Sequence, residues 1–99
     1  MSTQSIIQII SQYFVNQPVT KAWLFGSYSR GEQREDSDVD ILVSYDKDAK
    51  ISLMTISRIA CGLQEVLGRK VDLVEEGHLK PFAIDSVNHD KKLIYERKS

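Results

Sequence analysis

The chain has 99 residues, with 13 Lys or Arg, 14 Asp or Glu and a formal net charge of −1. This length predicts one domain over residues 1–99, and the near-neutral charge argues against a basic face that wraps duplex nucleic acid. No run of about 20 apolar residues and no signal-peptide pattern is present. The single Cys61 allows no internal disulfide, which predicts a cytoplasmic protein in which Cys61 is a small buried helix residue.

The predicted elements begin with a helix from Ser5 to Asn16, which Pro18 ends. Its main apolar stripe consists of Ile6, Ile9, Ile10 and Tyr13. Ile7 and Phe14 form a second ridge, which either widens the buried face or binds a partner, and the buried face is preferred. A short strand from Lys21 to Phe25 follows.

The next segment carries the least regular pattern. Residues Ser27 to Arg30 predict one helical turn that Gly31 closes. A charged loop over residues 32–37 leads to a second strand from Val39 to Tyr45, which is rich in β-branched and apolar residues.

The clearest helix runs from Ser52 to Leu67, with Gly68 as its C-terminal cap. Its predicted buried face consists of Leu53, Ile56, Ala60, Leu63 and Leu67. A third strand covers residues 71–74, a short helix runs from Pro81 toward Asn88, and an edge strand closes the chain at residues 92–95. This order predicts an α/β (α+β) fold with a small mixed sheet flanked by helices.

A possible phosphate cradle follows the first strand. Gly26 permits close backbone approach, and Ser27 offers an amide and a hydroxyl at the start of a helical turn. Arg30 on the same turn offers a bidentate contact to phosphate oxygens. Taken alone, Gly26 and Ser27 are also typical of a plain turn, and Arg30 of a solvated surface residue.

Two carboxylates open the second strand ten residues after this dipeptide. Asp38 and Asp40 lie two residues apart, so a strand projects them to the same face, opposite the apolar residues beside them. Asp72 is an aspartate inside another apolar strand, where it needs a partner or a metal. Three carboxylates beside a phosphate cradle predict a two-metal phosphoryl-transfer site, with Mg²⁺ as the preferred ion.

The segment Phe25-Gly26-Ser27-Tyr28-Ser29-Arg30-Gly31 precedes Asp36-Ser37-Asp38-Val39-Asp40-Ile41-Leu42-Val43, and Val71-Asp72-Leu73-Val74 follows. In this order the segments resemble the minimal nucleotidyltransferases of the polymerase-beta-like superfamily. The resemblance covers nearly the whole chain and implies the palm-like fold of that superfamily.

The resemblance also implies roles for individual residues. Ser27 is expected to hold the nucleoside triphosphate, with Gly26 and Arg30 beside it. Asp38 and Asp40 are expected to bind both Mg²⁺ ions, and Asp72 to complete the catalytic metal site and help activate the acceptor hydroxyl. The implied reaction transfers a nucleoside monophosphate, AMP from ATP, with release of pyrophosphate.

Three functions remain open at this point. Stand-alone members of the family imply an antitoxin that adenylylates a tyrosine of a HEPN-type toxin, which fits the short chain because the partner would complete the site. Transfer to a small molecule such as an aminoglycoside is the second, and it would need a homo-oligomer or a second subunit. The third is a non-catalytic subunit that neutralises a partner by contact alone.

Overall fold

The computed structural model describes residues 3–26, 31, 38–78, 89 and 91–97. The predicted turn over residues 27–30, the loop over 32–37 and the helix from Pro81 toward Asn88 lie outside these residues, so they stay predictions. The helices and strands that the structure describes are α1 (Thr3–Phe14), β1 (Val19–Phe25), β2 (Val39–Tyr45), α2 (Leu53–Leu67), β3 (Val71–Glu75), a 3₁₀ turn (Glu76–His78) and β4 (Lys92–Glu96).

The four strands form one mixed sheet in the order β3-β2-β1-β4. β1 pairs antiparallel with both β2 and β4, whereas β2 and β3 are parallel. The parallel pair requires a crossover, because two parallel strands cannot be joined by a tight turn, and α2 provides it. The predicted fold class and the edge position of the last strand are confirmed.

The ends of α2 are encoded locally, and the end at Gly68 is the one that the sequence predicted. Ser52 is the N-cap, and its hydroxyl accepts a hydrogen bond from the Thr55 amide at 3.2 Å. Gly68 ends the helix in the left-handed region with φ of +65°, and its amide donates to the Gln64 carbonyl at 2.8 Å. Because glycine adopts this conformation without a Cβ penalty, the helix ends here and β3 begins three residues later.

One hydrophobic core lies between the sheet and the two helices. From α1 it receives Ile6, Ile10 and Phe14, each with no exposed surface, so the preferred interpretation of Phe14 as a core residue is confirmed. Phe14 also packs against Tyr95 of β4, with ring centroids 5.8 Å apart. None of the described helices has the length and apolar character needed to cross a bilayer.

The buried face of α2 differs in part from the prediction. Its buried residues are Ile59, Leu63 and Leu67, whereas Leu53 is 83% exposed. Leu53 precedes Ile59 by six residues, and at about 100° per residue it points about 120° away from it. The prediction that Leu53 faces the core is therefore wrong.

Cys61 is exposed, which contradicts the prediction of a buried thiol. It lies two residues from both Ile59 and Leu63, so it points about 160° away from these buried side chains. Its place inside an apolar stretch of sequence therefore did not decide its burial, because the helix turns it toward solvent.

A close contact between the helices occurs at Gly62 in the middle of α2. A Cβ atom there would meet the Tyr13 hydroxyl and lie 2.7 Å from ring atom Cζ, so glycine is what allows the Tyr13 ring to approach. Partial burial raises the pKa of Tyr13, with smaller contributions from Cys61 and Glu65.

Arg97, the residue after β4, links that strand to the segment before β1 and to the segment after β2. Its guanidinium donates to the Asp46 carboxylate at 2.7 Å and to the Gln17 carbonyl at 2.8 Å. Its amide also donates to the Thr20 carbonyl at 2.8 Å. A hydrogen bond from the Asp48 amide and the one from Arg97 lower the pKa of Asp46.

We expect Gly62→Ala to lower the free energy of unfolding. Helix propensity alone would raise it by about 1 kcal/mol. The added methyl group must displace Tyr13, however, and overpacking of this kind costs about 1–3 kcal/mol. Urea denaturation checks the sign, with Cys61→Ala on the exposed side of α2 as the control. A Gly62→Ala protein more stable than the parent would contradict the contact.

The Asp46–Arg97 pair predicts an acid-sensitive contribution to stability. Since the pKa of Asp46 is lowered by folding, the pair stabilises above the unfolded value of about 3.9 and is lost as the pH falls through the lowered folded value. The melting temperature of Asp46→Asn should therefore lie below that of the parent at pH 7, and the difference should close as the pH falls through the lowered pKa of Asp46. Melting curves against pH check this, with Asp48→Asn as the control. A difference that does not change with pH would contradict the ion pair.

Candidate functional site

The parallel register of β2 and β3 places Asp40 directly beside Asp72. Parallel neighbours lie about 4.8 Å apart in the hydrogen-bonding direction, and register partners in such a pair project to the same face. The sequence contained both aspartates, but it could not fix this register. The pairing brings together two carboxylates that are separated by 31 intervening residues in the chain.

Asp38 precedes β2 by one residue and shares the side of the strand that carries Asp40. Val39, Ile41 and Val43 point the other way, and all three belong to the hydrophobic core. The predicted alternation is thus confirmed. Asp38 and Asp72 are exposed and Asp40 is half-buried, so the carboxylates occupy the open side of a strand whose other side is fixed by packing.

Gly26 directly follows β1 and lies against the Asp40 side chain. Phe25 is the register partner of Asp40, and Gly26 follows with φ of +74°. A Cβ atom on Gly26 would collide with the Asp40 carboxylate and lie 3.3 Å from its Cγ. Glycine is required here for two reasons, the positive φ and the space that the Asp40 side chain occupies. The structure therefore connects the predicted cradle to the predicted metal site.

One hydrogen bond joins the start of β3 to β2, and a second joins it to α2. The Val39 amide donates to the Lys70 carbonyl at 2.9 Å. The Gln64 side-chain oxygen on α2 accepts from the Val71 amide at 3.0 Å. Gln64 thereby fixes the backbone one residue before Asp72. The sequence analysis missed this positioning residue, because a glutamine in the last turns of a helix carries no local signal for a contact with the next strand.

Apolar side chains lie next to the carboxylates on the same face of the sheet. Leu42 lies two residues after Asp40, has no exposed surface and stands outside the helix-side core. Its register partners are Trp23 on β1 and Val74 on β3. The Lys91 ammonium lies 4.8 Å from the centroid of the Trp23 ring, which is within the range of a cation–π contact. The carboxylates therefore lie at the end of a row of buried and half-buried apolar side chains, with the Lys91 cation beside it.

The side chains of Asp38, Asp40 and Asp72 do not converge on one point. Among the described residues, no three His, Cys, Asp or Glu side chains form a group that could hold a metal ion. The backbone nevertheless brings Asp40 and Asp72 into register, and Asp72 is exposed, so rotation about its side-chain bonds is free to change where its oxygens point. The donor set consists of carboxylate oxygens from two strands, which is the ligand chemistry that Mg²⁺ prefers.

Ser27 and Arg30 lie outside the described residues. Their assigned roles in nucleotide binding therefore stay predictions. Gly26, the last described residue before them, lies against the Asp40 carboxylate.

Comparison with known families gives a match over nearly the whole chain. The family model described as "Polymerase beta, Nucleotidyltransferase" matches residues 4–99. A protein of Methanocaldococcus jannaschii named "Putative protein adenylyltransferase" is 36% identical over 87 residues, which cover 88% of this chain and 91% of that protein. Protein adenylyltransferase MntA of Thermococcus cleftensis is 45% identical over 62 residues, which cover 63% of this chain and 61% of that protein.

Solved structures share the fold. One described as a "putative minimal nucleotidyltransferase" superposes with a TM-score of 0.77 at 28% identity, over 93% of this chain and 95% of that one. Another is a tri-AMPylated Shewanella oneidensis HEPN toxin in complex with an MNT antitoxin. It superposes with a TM-score of 0.72 at 22% identity, over 96% of this chain and 73% of that one.

We expect Gly26→Ala to damage the site more than it damages the fold. The methyl group strains a positive φ and displaces the Asp40 carboxylate, whereas Gly68→Ala strains a similar φ with no atom within 4 Å. Both variants should lose about 1 kcal/mol of stability from the backbone. Only Gly26→Ala should also lose Mg²⁺-dependent nucleotide binding, by at least about tenfold. Isothermal titration on both variants checks this, and equal affinities would contradict the contact.

Proposed function

The chain belongs to the polymerase beta nucleotidyltransferase family, and we propose that it transfers AMP from ATP to a hydroxyl group of a partner protein, a tyrosine of a HEPN-type toxin. The observation that carries the proposal is the register of Asp40 beside Asp72, with Gly26 against Asp40. Two relatives bear the name protein adenylyltransferase, and one solved structure of the same fold is a complex of an AMPylated HEPN toxin with its antitoxin.

The donor set fits Mg²⁺, because it consists of hard carboxylate oxygens on adjacent strands. Asp38 and Asp40 would hold the ions, and Asp72 would complete the site. In two-metal sites of this chemical type, bound Mg²⁺ neutralises phosphate charge and polarises the attacking oxygen. Ser27 and Arg30 are proposed to bind the triphosphate beside Gly26.

The residues of the chain act mainly by positioning. The acceptor hydroxyl oxygen forms a bond to the α-phosphorus of ATP, the bond from that phosphorus to the bridging oxygen breaks, and pyrophosphate leaves. Asp72 accepts the proton of the hydroxyl group and passes it to solvent, to which its side chain is exposed. Holding the oxygen and the phosphorus close together supplies much of the rate enhancement in such reactions.

The exposure of the carboxylates supports a macromolecular acceptor. Asp72 lies on the edge strand β3 and Asp38 directly precedes the neighbouring strand β2, and both are exposed, so a large partner can reach them. A partner that covers this edge would also exclude water, which strengthens the interactions of the site with the transferring group.

The test uses the purified chain, a candidate HEPN-type toxin, Mg²⁺ and ATP labelled at the α-phosphate. We expect label on the toxin and its loss by at least about a hundredfold in Asp40→Asn and in Asp72→Asn, because even indirect changes at metal sites cost 10–100-fold. Asp48→Asn, an exposed aspartate in the turn after β2, is the matched control and should transfer normally.

Circular dichroism should show that all three variants fold. Label that appears on an aminoglycoside and not on the protein would replace the proposed acceptor. Full transfer by Asp72→Asn would remove Asp72 from the mechanism. Neutralisation of the toxin by Asp40→Asn without any transfer would favour an antitoxin that acts by contact alone.

A further inference from the structure

Lys91 lies on the same face of the sheet as the carboxylates of the candidate site. It directly precedes β4, whose first residue, Lys92, is the register partner of the core residue Leu24. Because successive side chains of a strand alternate, Lys92 projects to the helix side and Lys91 to the opposite side. The Lys91 ammonium accordingly lies 4.8 Å from the centroid of the Trp23 ring, and Trp23 is paired with Leu42 on the carboxylate face.

One row across the sheet connects Lys91 with these carboxylates. Continuing the antiparallel register of β1 and β4 by one residue sets Lys91 beside Phe25, which is the register partner of Asp40. Asp40 is in turn beside Asp72. Lys91 therefore lies two strand spacings, or roughly 10 Å, from Asp40. Gly26 directly follows Phe25, so the start of the proposed nucleotide-binding segment lies between the carboxylates and the lysine.

From this order we propose that Lys91 binds the terminal phosphate of the nucleoside triphosphate, a role that rests on the proposed function. The carboxylates would hold the α-phosphate through Mg²⁺, because its phosphorus is the atom that is attacked. Gly26 begins the segment proposed for the triphosphate, and Lys91 lies beyond it on the next strand. A triphosphate that starts at the carboxylates and passes Gly26 therefore ends toward Lys91. Since the β- and γ-phosphates leave together as pyrophosphate, the same contact holds the leaving group.

The ammonium of Lys91 is held in a way that a phosphate can replace. Lys91 is half-buried and contacts the face of an aromatic ring, which attracts a cation through its quadrupole and carries no net charge. A phosphate carries net charge and accepts charge-assisted hydrogen bonds, so it competes well with the ring. The four-carbon stem of lysine is flexible, which lets the ammonium move from Trp23 to a phosphate while β4 keeps its place.

Two neighbouring lysines do not share this position. Lys21 projects to the same face, but it lies four residues before Phe25, roughly 13 Å along β1. Its ammonium is also 3.4 Å from the Glu96 carboxylate. Lys92 is next to Lys91 in the chain, is exposed and projects to the helix side. Lys92 is therefore a matched control, because it carries the same charge one residue away on the other face.

The cation favours a phosphate over a nucleobase at this place. A base could stack on the half-buried Trp23 ring, since aromatic side chains are common platforms for bases. The Lys91 ammonium lies over that ring, however, and a neutral base would displace it without supplying a negative charge in return. A terminal phosphate supplies that charge and leaves the ring free. The two occupants differ in which nucleotides depend on Lys91, which makes them separable.

Titration of the full chain with ATP and with AMP, each with Mg²⁺ and without an acceptor, tests the assignment. Lys91→Met removes the ammonium and keeps an unbranched side chain. We expect it to weaken ATP binding about ten- to hundredfold, the range for a hydrogen bond to a charged group, and to leave AMP binding within about twofold. Lys91→Arg should keep most of the ATP affinity, and Lys92→Met should bind both nucleotides as the parent does.

Trp23 is the single tryptophan of the chain, so its fluorescence reports whether the ammonium leaves the ring. ATP with Mg²⁺ should change the emission of the parent and of Lys92→Met, and AMP should not.

Three results would overturn the phosphate contact while the proposed function stands, provided that circular dichroism shows the variants folded. They are equal losses of ATP and AMP affinity in Lys91→Met, no loss of either, and an ATP-dependent emission change in Lys91→Met equal to that of the parent. The first of these would place the base or ribose beside Lys91. A parent chain that bound no ATP would overturn the proposed function and this inference together.

Discussion

The fold and the site both depend on the parallel pairing of β2 with β3. That pairing sets Asp40 beside Asp72 and cannot arise without the α2 crossover, whose ends are fixed by Ser52 and Gly68. The Gln64 side chain then holds the first amide of β3. A helix that ended one residue later would move β3 by one position. Because side chains alternate along a strand, that shift would turn Asp72 toward the core.

The buried side of β2 holds the candidate site in place. Neighbouring carboxylates repel one another, and this opposes folding. Val39, Ile41 and Val43 offset that cost because they are completely buried on the opposite side of the same strand. Gly26 adds the space that the Asp40 side chain needs. Because successive side chains of a strand point to opposite faces, β2 can carry the carboxylates on one face and core residues on the other.

The two edges of the sheet have different chemistry. At β3 the exposed group is a carboxylate, which suits cations. At β4 the strand has one charge of each sign at its ends and apolar residues between them. α1, which has no charged side chain, packs against β4 at the second edge.

Local patterns in the sequence determined much of this protein: the type of both α-helices and of the four described strands, the C-terminal cap of α2, the alternation around Asp40 and the membership of the polymerase beta family. Periods of two and 3.6 residues and cap residues act over a few positions, so they can be read from the chain alone. Only the tertiary structure decided the partner of Asp40, the contact of Gly26 with its carboxylate, and the exposure of Cys61 and Leu53. Those depend on strand register and helix rotation, which are fixed when distant segments pack together.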